Sequence, residues 1–440
     1  MRPGTLALPA LSPHLPVRTL RVVVLDGPDR GAAAQGDRLS IGTAEGNDLT
    51  LGDPTVSRYH LELVSEPQGI LIVDPGSTNG TRLGNARLER AVVEPGAVLQ
   101  LGHTRLEVST AERALVQLHP EDTLGQLRGR SAAMRRLMAR LARMAASDAA
   151  VLLVGESGTG KELIAEALHG SSERSERPFV TVDCGALAPN LVASELFGHE
   201  RGAFTGAERV HRGAFERAEG GTVFLDEVGE LPAELQSHLL GVLERRRIRR
   251  VGGQDEFDID VRVISATNRD LRAAVNTGAF RLDLYYRLAV VCVEVPPLRE
   301  RPEDVPLLVE HFLRECGYEG PIEALFPHDI MRRLEEHRWP GNVRELRNVI
   351  EATLATGEPA APAGPSIRPR GDEGSLRPPR PGVDLDRPYK EARGEVLREF
   401  EARYLKRLLK RCTGNVSQAA RDARMTRSHL FELLRKHGLK

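Results

Sequence analysis

The chain has 440 residues, enough for about three ordinary domains, and its 40% hydrophobic and 28% charged content excludes a collagen, a coiled coil and a wholly disordered chain. The formal net charge of −1 favours no class of partner, but residues 391–440 carry 13 Lys or Arg against 6 Asp or Glu, whereas residues 20–109 carry 8 against 12. Only the tail is basic enough to point towards nucleic acid.

Residues 1–18 are rich in proline and show no apolar core leading to a small-residue cleavage site, so the expectation is a disordered start without a signal peptide. The longest apolar stretches, Val151–Val154 and residues 288–293, are far shorter than the roughly 18 to 20 residues of a membrane-spanning helix. A cytoplasmic protein with no membrane contact is expected. Cys184, Cys292, Cys316 and Cys412 form no C-x-x-C pair and have no histidine at metal spacing, which fits small buried side chains in a reducing compartment.

Residues 19–110 change to short β-type runs separated by Gly, Asp, Asn and Pro, the pattern of an all-β sandwich. Within them lie Leu39-Ser40-Ile41-Gly42, Asn47-Asp48, Val56-Ser57-Arg58-Tyr59-His60 and Ser77-Thr78-Asn79-Gly80-Thr81. This region resembles a forkhead-associated (FHA) domain. The resemblance implies a reader of phosphothreonine on a partner protein, and hence input from a Ser/Thr kinase. Ser57, Arg58, Thr78 and Asn79 would touch the phosphopeptide, with Gly42, His60 and Gly80 structural. Thr43 stands where the family carries its phosphate-binding Arg, leaving Arg58 as the nearest cation in the motif. The alternative is an FHA fold used only for packing against the domain that follows it.

From 124 to 356, apolar runs at Val151–Val154 and at residues 179–182, 222–225, 261–266 and 290–295 alternate with helical patterns, as in a parallel sheet covered on both faces. Gly155-Glu156-Ser157-Gly158-Thr159-Gly160-Lys161-Glu162 sits between a strand and a helix, the context of a P-loop, whose backbone N–H groups and lysine cradle phosphates. Lys161 is the sole lysine before Lys390 in a chain that otherwise uses Arg, marking a place that needs a compact ammonium. Glu162 replaces the usual hydroxyl ligand of Mg²⁺. Residues 222–225 lead into Asp226-Glu227, a Walker B element in which Asp226 holds Mg²⁺ and Glu227 prepares the attacking water. Asn268 ends a further strand, an expected position for a neutral amide that senses a γ-phosphate or water. Arg281, Arg287 and Arg344 follow, and any single one of them is more often an ion-pair partner than a catalytic group.

These motifs, with Glu195-Leu196-Phe197-Gly198-His199-Glu200, Gly202-Ala203-Phe204-Thr205-Gly206-Ala207, Tyr285-Tyr286-Arg287-Leu288 and Trp339-Pro340-Gly341-Asn342-Val343-Arg344-Glu345-Leu346, resemble the AAA+ domain of sigma-54-dependent transcription activators. In that family Glu at the Glu162 position is usual. The resemblance implies a ring, commonly a hexamer, with ATP and Mg²⁺ between neighbours. Arg281 and Arg287 would be fingers on the next subunit's nucleotide, Asn268 the first sensor and Arg344 the second. Gly202, Ala203, Phe204, Thr205, Gly206 and Ala207 would contact sigma-54. Asp183 departs from the family's Asn, which is thought to pair with the Walker B glutamate; an Asp facing Glu227 sets two carboxylates against each other.

Residues 357–388 read as a Pro/Gly/Arg-rich linker. In 391–440, Asn415 with Gln418 and then Thr426 mark two helix starts, a helix-turn-helix pattern. It resembles the Fis-type DNA-binding domain, usually dimeric. Leu430, Leu433 and Leu434 would face its core, and Arg424, Arg427, Ser428, His429, Glu432 and Arg435 would meet double-stranded DNA. The expected fold is thus multidomain: an all-β FHA sandwich, an α/β AAA+ parallel sheet with a helical lid, and an all-α helix-turn-helix. The expected function is ATP-driven remodelling of the RNA polymerase–sigma-54 holoenzyme. A ring ATPase acting on another protein, and a phosphopeptide scaffold with a degenerate ATPase, are the alternatives.

Overall fold

The structure is a computed structural model that describes residues 14–66, 68–186 and 188–359, together with Leu405, Val416, Met425, Leu430, Phe431, Leu434 and Arg435. Contacts divide the chain into residues 1–366 and residues 367–440.

The N-terminal part is a two-sheet β-sandwich. One sheet orders the strands Ala33–Gly36, His14–Asp26, Thr104–Gln117, Ala97–Leu101, Thr81–Leu83 and Ala86–Leu88. The other orders Leu49–Thr50, Arg38–Gly42, Leu61–Glu66, Gly69–Val73 and Arg90–Val93. Alternation decides what is inside: along His14–Asp26, Leu20, Val22 and Val24 are buried while Arg21 is exposed. They meet Leu39, Ile41, Leu61, Leu63, Ile70 and Ile72 from the facing sheet. The expected disordered start must be shortened, because residues 14–18 belong to the first strand and His14 pairs with Gln117. Pro16 lies where the strand has a single neighbour, since Ala33–Gly36 reaches only from Leu20 to Val23.

The central part is a parallel five-stranded sheet in the order Phe179–Asp183, Thr222–Asp226, Arg262–Thr267, Val151–Val154, Val291–Glu294. Leu152, Val182, Val223, Leu225 and Val263 pack on one face, and Val151, Leu153, Phe224, Ile264, Ala266 and Val293 on the other. Both faces being covered accounts for unbroken apolar strands. Arg262 is buried within its strand because its guanidinium donates to the Met144 and Ala145 carbonyls at the end of helix Ala132–Ala145. A lid follows, built from helices Val305–Glu315, His328–Glu336 and Asn342–Thr356 around Trp339, whose Nε1 donates to the Leu334 carbonyl at 2.8 Å.

In the second unit Leu405, Val416, Leu430 and Leu434 are helical and buried, and Phe431 and Arg435 are helical and exposed. The other residues expected to bind DNA, Arg424, Arg427, Ser428, His429 and Glu432, lie outside the described residues, as does nearly all of the expected linker. Among the described residues no helix is long and apolar enough to cross a membrane.

Candidate nucleotide site

The site forms at the carboxyl ends of the parallel strands, where an α/β sheet leaves a crevice. Between strand Val151–Val154 and helix Lys161–Gly170 the chain must fold tightly back over its own carbonyls. Gly158 (φ 77°) and Gly160 (φ 99°) supply the left-handed backbone this requires. Lys161 is 7% exposed, and its Nζ donates to the carbonyls of Gly155 at 2.9 Å and Glu156 at 3.3 Å, so the ammonium lies inside the loop. Thr159 ties the same loop through Oγ1 to the Glu156 carbonyl at 2.8 Å. Glu162 is exposed on the first turn of the helix.

Strand Thr222–Asp226 delivers two carboxylates beside that ammonium. Glu227 adopts φ 49° and ψ 46°, a strained conformation for a side-chain-bearing residue and one that turns its carboxylate back over the strand ends. Its Oε1 lies 3.6 Å from Lys161 Nζ, and its Oε2 accepts the backbone N–H of Asn268 at 3.0 Å. Asn268, exposed, follows Arg262–Thr267 directly. Burial raises the pKa of Asp226, with Glu227 and Asp183 adding to the rise and the Glu227 N–H and Lys161 opposing it. A carboxylate in that setting gains from a divalent cation. Asp183 lies in register with Asp226, and its Oδ1 accepts the N–H groups of Gly185 (2.8 Å) and Ala186 (3.1 Å). The carboxylate of Glu227 is held by Lys161 and the Asn268 N–H.

The lid closes on the loop. Arg344 Nη1 donates to Ser157 Oγ at 2.9 Å, the Val343 N–H to the Gly158 carbonyl, and Asn342 Nδ2 to the Ser157 carbonyl at 3.0 Å. A Cβ on Gly158 would stand 2.4 Å from the Gly341 carbonyl oxygen, so this approach requires glycine. Two arginines not singled out in the sequence join in. Arg299 forms a fork of two 2.8 Å bonds to Glu156, holding that carboxyl below its usual range against the effect of burial. Arg301, 2% exposed, donates to the Thr159 carbonyl at 3.1 Å.

Residues 127–294 match the sigma-54 interaction domain, and residues 299–361 match the AAA+ ATPase lid domain. The transcriptional regulatory protein GlrR of Escherichia coli is 46% identical over 311 residues, which cover 70% of this chain and 67% of that protein. The DNA-binding transcriptional regulator NtrC of Azospirillum brasilense is 42% identical over 362 residues, covering 74% and 75%. The chain belongs to the sigma-54-dependent transcription activators. Among solved structures, NtrX of Brucella abortus in complex with ATP is similar at a TM-score of 0.51 and 37% identity, over 72% of this chain and 70% of that one. The activator is an ATPase, and the cluster around Lys161 lies within the matched sigma-54 interaction domain. Its residues 23–112 match a further family, the cytoplasmic domain of the inner membrane component of T3SS.

The activator's two candidate finger arginines are exposed and pair with residues near them on the surface. Arg281 pairs with Asp283 through a fork of 3.0 and 2.7 Å bonds and reaches Ser237, while Arg287, 56% exposed, has Glu244 at 3.9 Å. The buried Gln236 fixes this corner: its Oε1 accepts the Arg281 N–H at 3.0 Å and its Nε2 donates to the Leu231 and Ala279 carbonyls. In the candidate sigma-54 loop, Gly202 and Ala207 close on each other at 2.8 Å, and Glu200 at its base is tied to Val251 and Arg250. Gly202, Thr205 and Gly206 are exposed, Ala203 is half-buried and Ala207 is buried. Phe204 is half-buried, its ring edge-on to His199 at 4.8 Å. It rests on the loop's own stem and not in the domain core.

In the activator's sandwich, Asp74 accepts from Ser77 and Thr81 and so shapes the turn carrying Thr78 and Asn79. Ser57 Oγ accepts the Thr78 N–H at 2.9 Å, and Asn79 Nδ2 donates to the Thr55 carbonyl at 2.7 Å. Burial holds His60 neutral, lowering its pKa, which leaves Nδ1 free to accept the Ser57 N–H at 3.0 Å. Thr43 lies beside Ser57, its N–H donating to the Ser57 carbonyl. Arg58 alone of the four expected phosphopeptide residues turns elsewhere, with Nη1 3.5 Å from the Val275 carbonyl of the ATPase domain.

Because Asp183 contributes to the raised pKa of Asp226, removing its charge in Asp183→Asn should lower that pKa. The acid limb of the ATPase pH profile should then move to lower pH. An unmoved limb would return Asp183 to a purely structural role as acceptor for Gly185 and Ala186.

Proposed function

We propose that this activator opens sigma-54 promoters: it binds DNA through its tail, hydrolyses ATP in a ring, and uses the Phe204 loop to remodel the RNA polymerase–sigma-54 holoenzyme. The observation that carries the reading is the convergence of Lys161, Glu227 and the Asn268 N–H at one strand edge, under a lid already bonded to the P-loop. The amides of residues 155–160 and Lys161 hold the β- and γ-phosphates. Asp226 holds Mg²⁺, which when bound neutralises phosphate charge. Glu227, positioned by Asn268, takes the proton of the attacking water. Arg344 reports the nucleotide to the lid through Ser157. Arg281 and Arg287, exposed and held only by residues of their own surface, complete a neighbour's site, which fits a hexameric ring.

The basic tail supplies double-stranded DNA binding as a dimeric helix-turn-helix; Arg435 is helical and exposed, and Leu430 and Leu434 are helical and buried. Removing residues 391–440 should abolish site-specific binding in a footprinting assay, while promoter opening returns at high protein concentration because tethering only raises local concentration. Tight, specific binding by the truncated chain would overturn the assignment.

The sandwich acts as an FHA module that reads phosphothreonine on a kinase-pathway partner. Support comes from Ser57, Thr78 and Asn79 meeting on one edge, with Thr43 beside Ser57. Thr43→Arg should strengthen phosphothreonine-peptide binding by about tenfold, the worth of one charge-assisted bond. Calorimetry with matched unphosphorylated peptides is the check, and equal affinity for both forms would remove the reading.

A further inference from the structure

The loop expected to read phosphate is also the loop by which the sandwich grips the ATPase domain. Tyr59 is 3% exposed and, with Ala44, belongs to the same apolar cluster as Leu271, Val275, Phe280 and Tyr285. Its ring meets Tyr285 edge-on at 5.3 Å, and the Arg272 guanidinium lies 5.4 Å from its centroid. Asn276 clamps the Tyr59 backbone from both sides, Nδ2 donating to its carbonyl at 2.7 Å and Oδ1 accepting its N–H at 3.3 Å. Around this contact Glu62 pairs with Arg272 and Arg38, and Arg38 pairs in turn with Glu294.

What is gripped matters. Leu271, Arg272, Val275 and Asn276 lie on helix Leu271–Thr277, and Tyr285 on helix Leu282–Leu288, which Arg281 precedes and which contains Arg287. Gly46 of the sandwich abuts the Tyr286 ring, one residue from Arg287. The grip is also imperfect: the Tyr59 hydroxyl is buried beside the Tyr286 phenol without a hydrogen bond of proper geometry. Enclosing an unpaired hydroxyl costs free energy, so this is an interface that a competitor can open.

Ser57 and Tyr59 are two residues apart, and the exposed Arg58 between them has its Nη1 3.5 Å from the Val275 carbonyl. We propose that residues 57–60 are a shared connector for which a phosphothreonine peptide, on Ser57, Thr78 and Asn79, competes with helix Leu271–Thr277 and the adjoining Arg287-bearing helix Leu282–Leu288, on Arg58 and Tyr59. The proposal rests on the phosphothreonine reading given above. For Arg58 to reach a phosphate it must leave Val275, and a loop rearranged around a phosphate loosens Tyr59 from Asn276. Peptide binding therefore frees the finger helix, and by reciprocity whatever weakens the grip tightens the peptide.

The test uses the full chain, phosphothreonine peptides from a degenerate library and their unphosphorylated counterparts, and a change on the ATPase side of the interface. Asn276→Ala removes both bonds to Tyr59 without touching the peptide face. It should tighten phosphopeptide binding by about three- to tenfold, since it raises the fraction of chains with an accessible loop. Asn276→Asp, which keeps the acceptor and loses the donor, should give a smaller gain in the same direction and guards against a folding defect in the first variant. Equal or weaker binding by both variants would overturn the competition while leaving phosphothreonine recognition in place. If no phosphopeptide binds the native chain or either variant, the recognition and the competition fall together.

Discussion

A Lys161→Ala chain and an Arg287→Ala chain, each nearly inactive alone, should recover ATP hydrolysis when mixed. Lys161 Nζ lies inside the P-loop, whereas Arg287 is on the far end of helix Leu282–Leu288 with Glu244 as its neighbour. If the finger serves the adjacent subunit, a P-loop from one variant and a finger from the other make a complete site. Loss of either group should cost on the order of 10³-fold or more in rate, since fingers in phosphoryl transfer contribute about that much. Random mixing in equal amounts leaves an intact loop beside an intact finger at about one site in four, so roughly a quarter of the native rate should return. No recovery in rings shown to contain both chains would mean that the finger does not act across the interface.

The second large effect separates hydrolysis from output. Phe204→Ala should abolish promoter opening and leave the ATPase rate within about twofold, because Phe204 is half-buried with its ring against His199 at the loop stem, and the loop is proposed to touch sigma-54 and not nucleotide. The loop's backbone closure, Gly202 to Ala207, does not depend on the ring. Opening assays beside steady-state hydrolysis on the same preparation decide it. Opening that survives would favour a remodeller of some other protein, and a parallel loss of hydrolysis would tie Phe204 to ring assembly.

The readable parts of the sequence were those whose chemistry is local. The P-loop, the Asp226-Glu227 pair and Asn268 each follow an apolar strand within a few residues, so spacing alone aligned them on one edge. The first strand was misread over residues 14–18 because proline density looks like a loop unless the partner strand, some 90 residues later, is known. Arg301, Asn342 and Gln236 went unassigned for the same reason: their partners, Thr159, Ser157 and Arg281, lie 142, 185 and 45 residues away. Nothing near them in sequence marks the need. Arg58 is the sharpest case. Its neighbours Ser57 and His60 gave it a phosphate-reading context, but its guanidinium is drawn to a carbonyl 217 residues distant. Asp183 could be placed near the Walker B pair from the sequence, but not the contacts of Glu227 with Lys161 and Asn268, which come from two other strand ends.

Promoter opening in a defined system is the most direct measurement of the central claim: purified chain, sigma-54 holoenzyme, supercoiled template carrying an upstream site, and ATP, with melting followed by permanganate footprinting. Single-stranded promoter DNA should appear with ATP and the native chain, and be absent with a non-hydrolysable analogue or with Lys161→Ala. Active ATP hydrolysis without any melting on sigma-54 promoters, by a chain shown to contact the holoenzyme, would contradict the account.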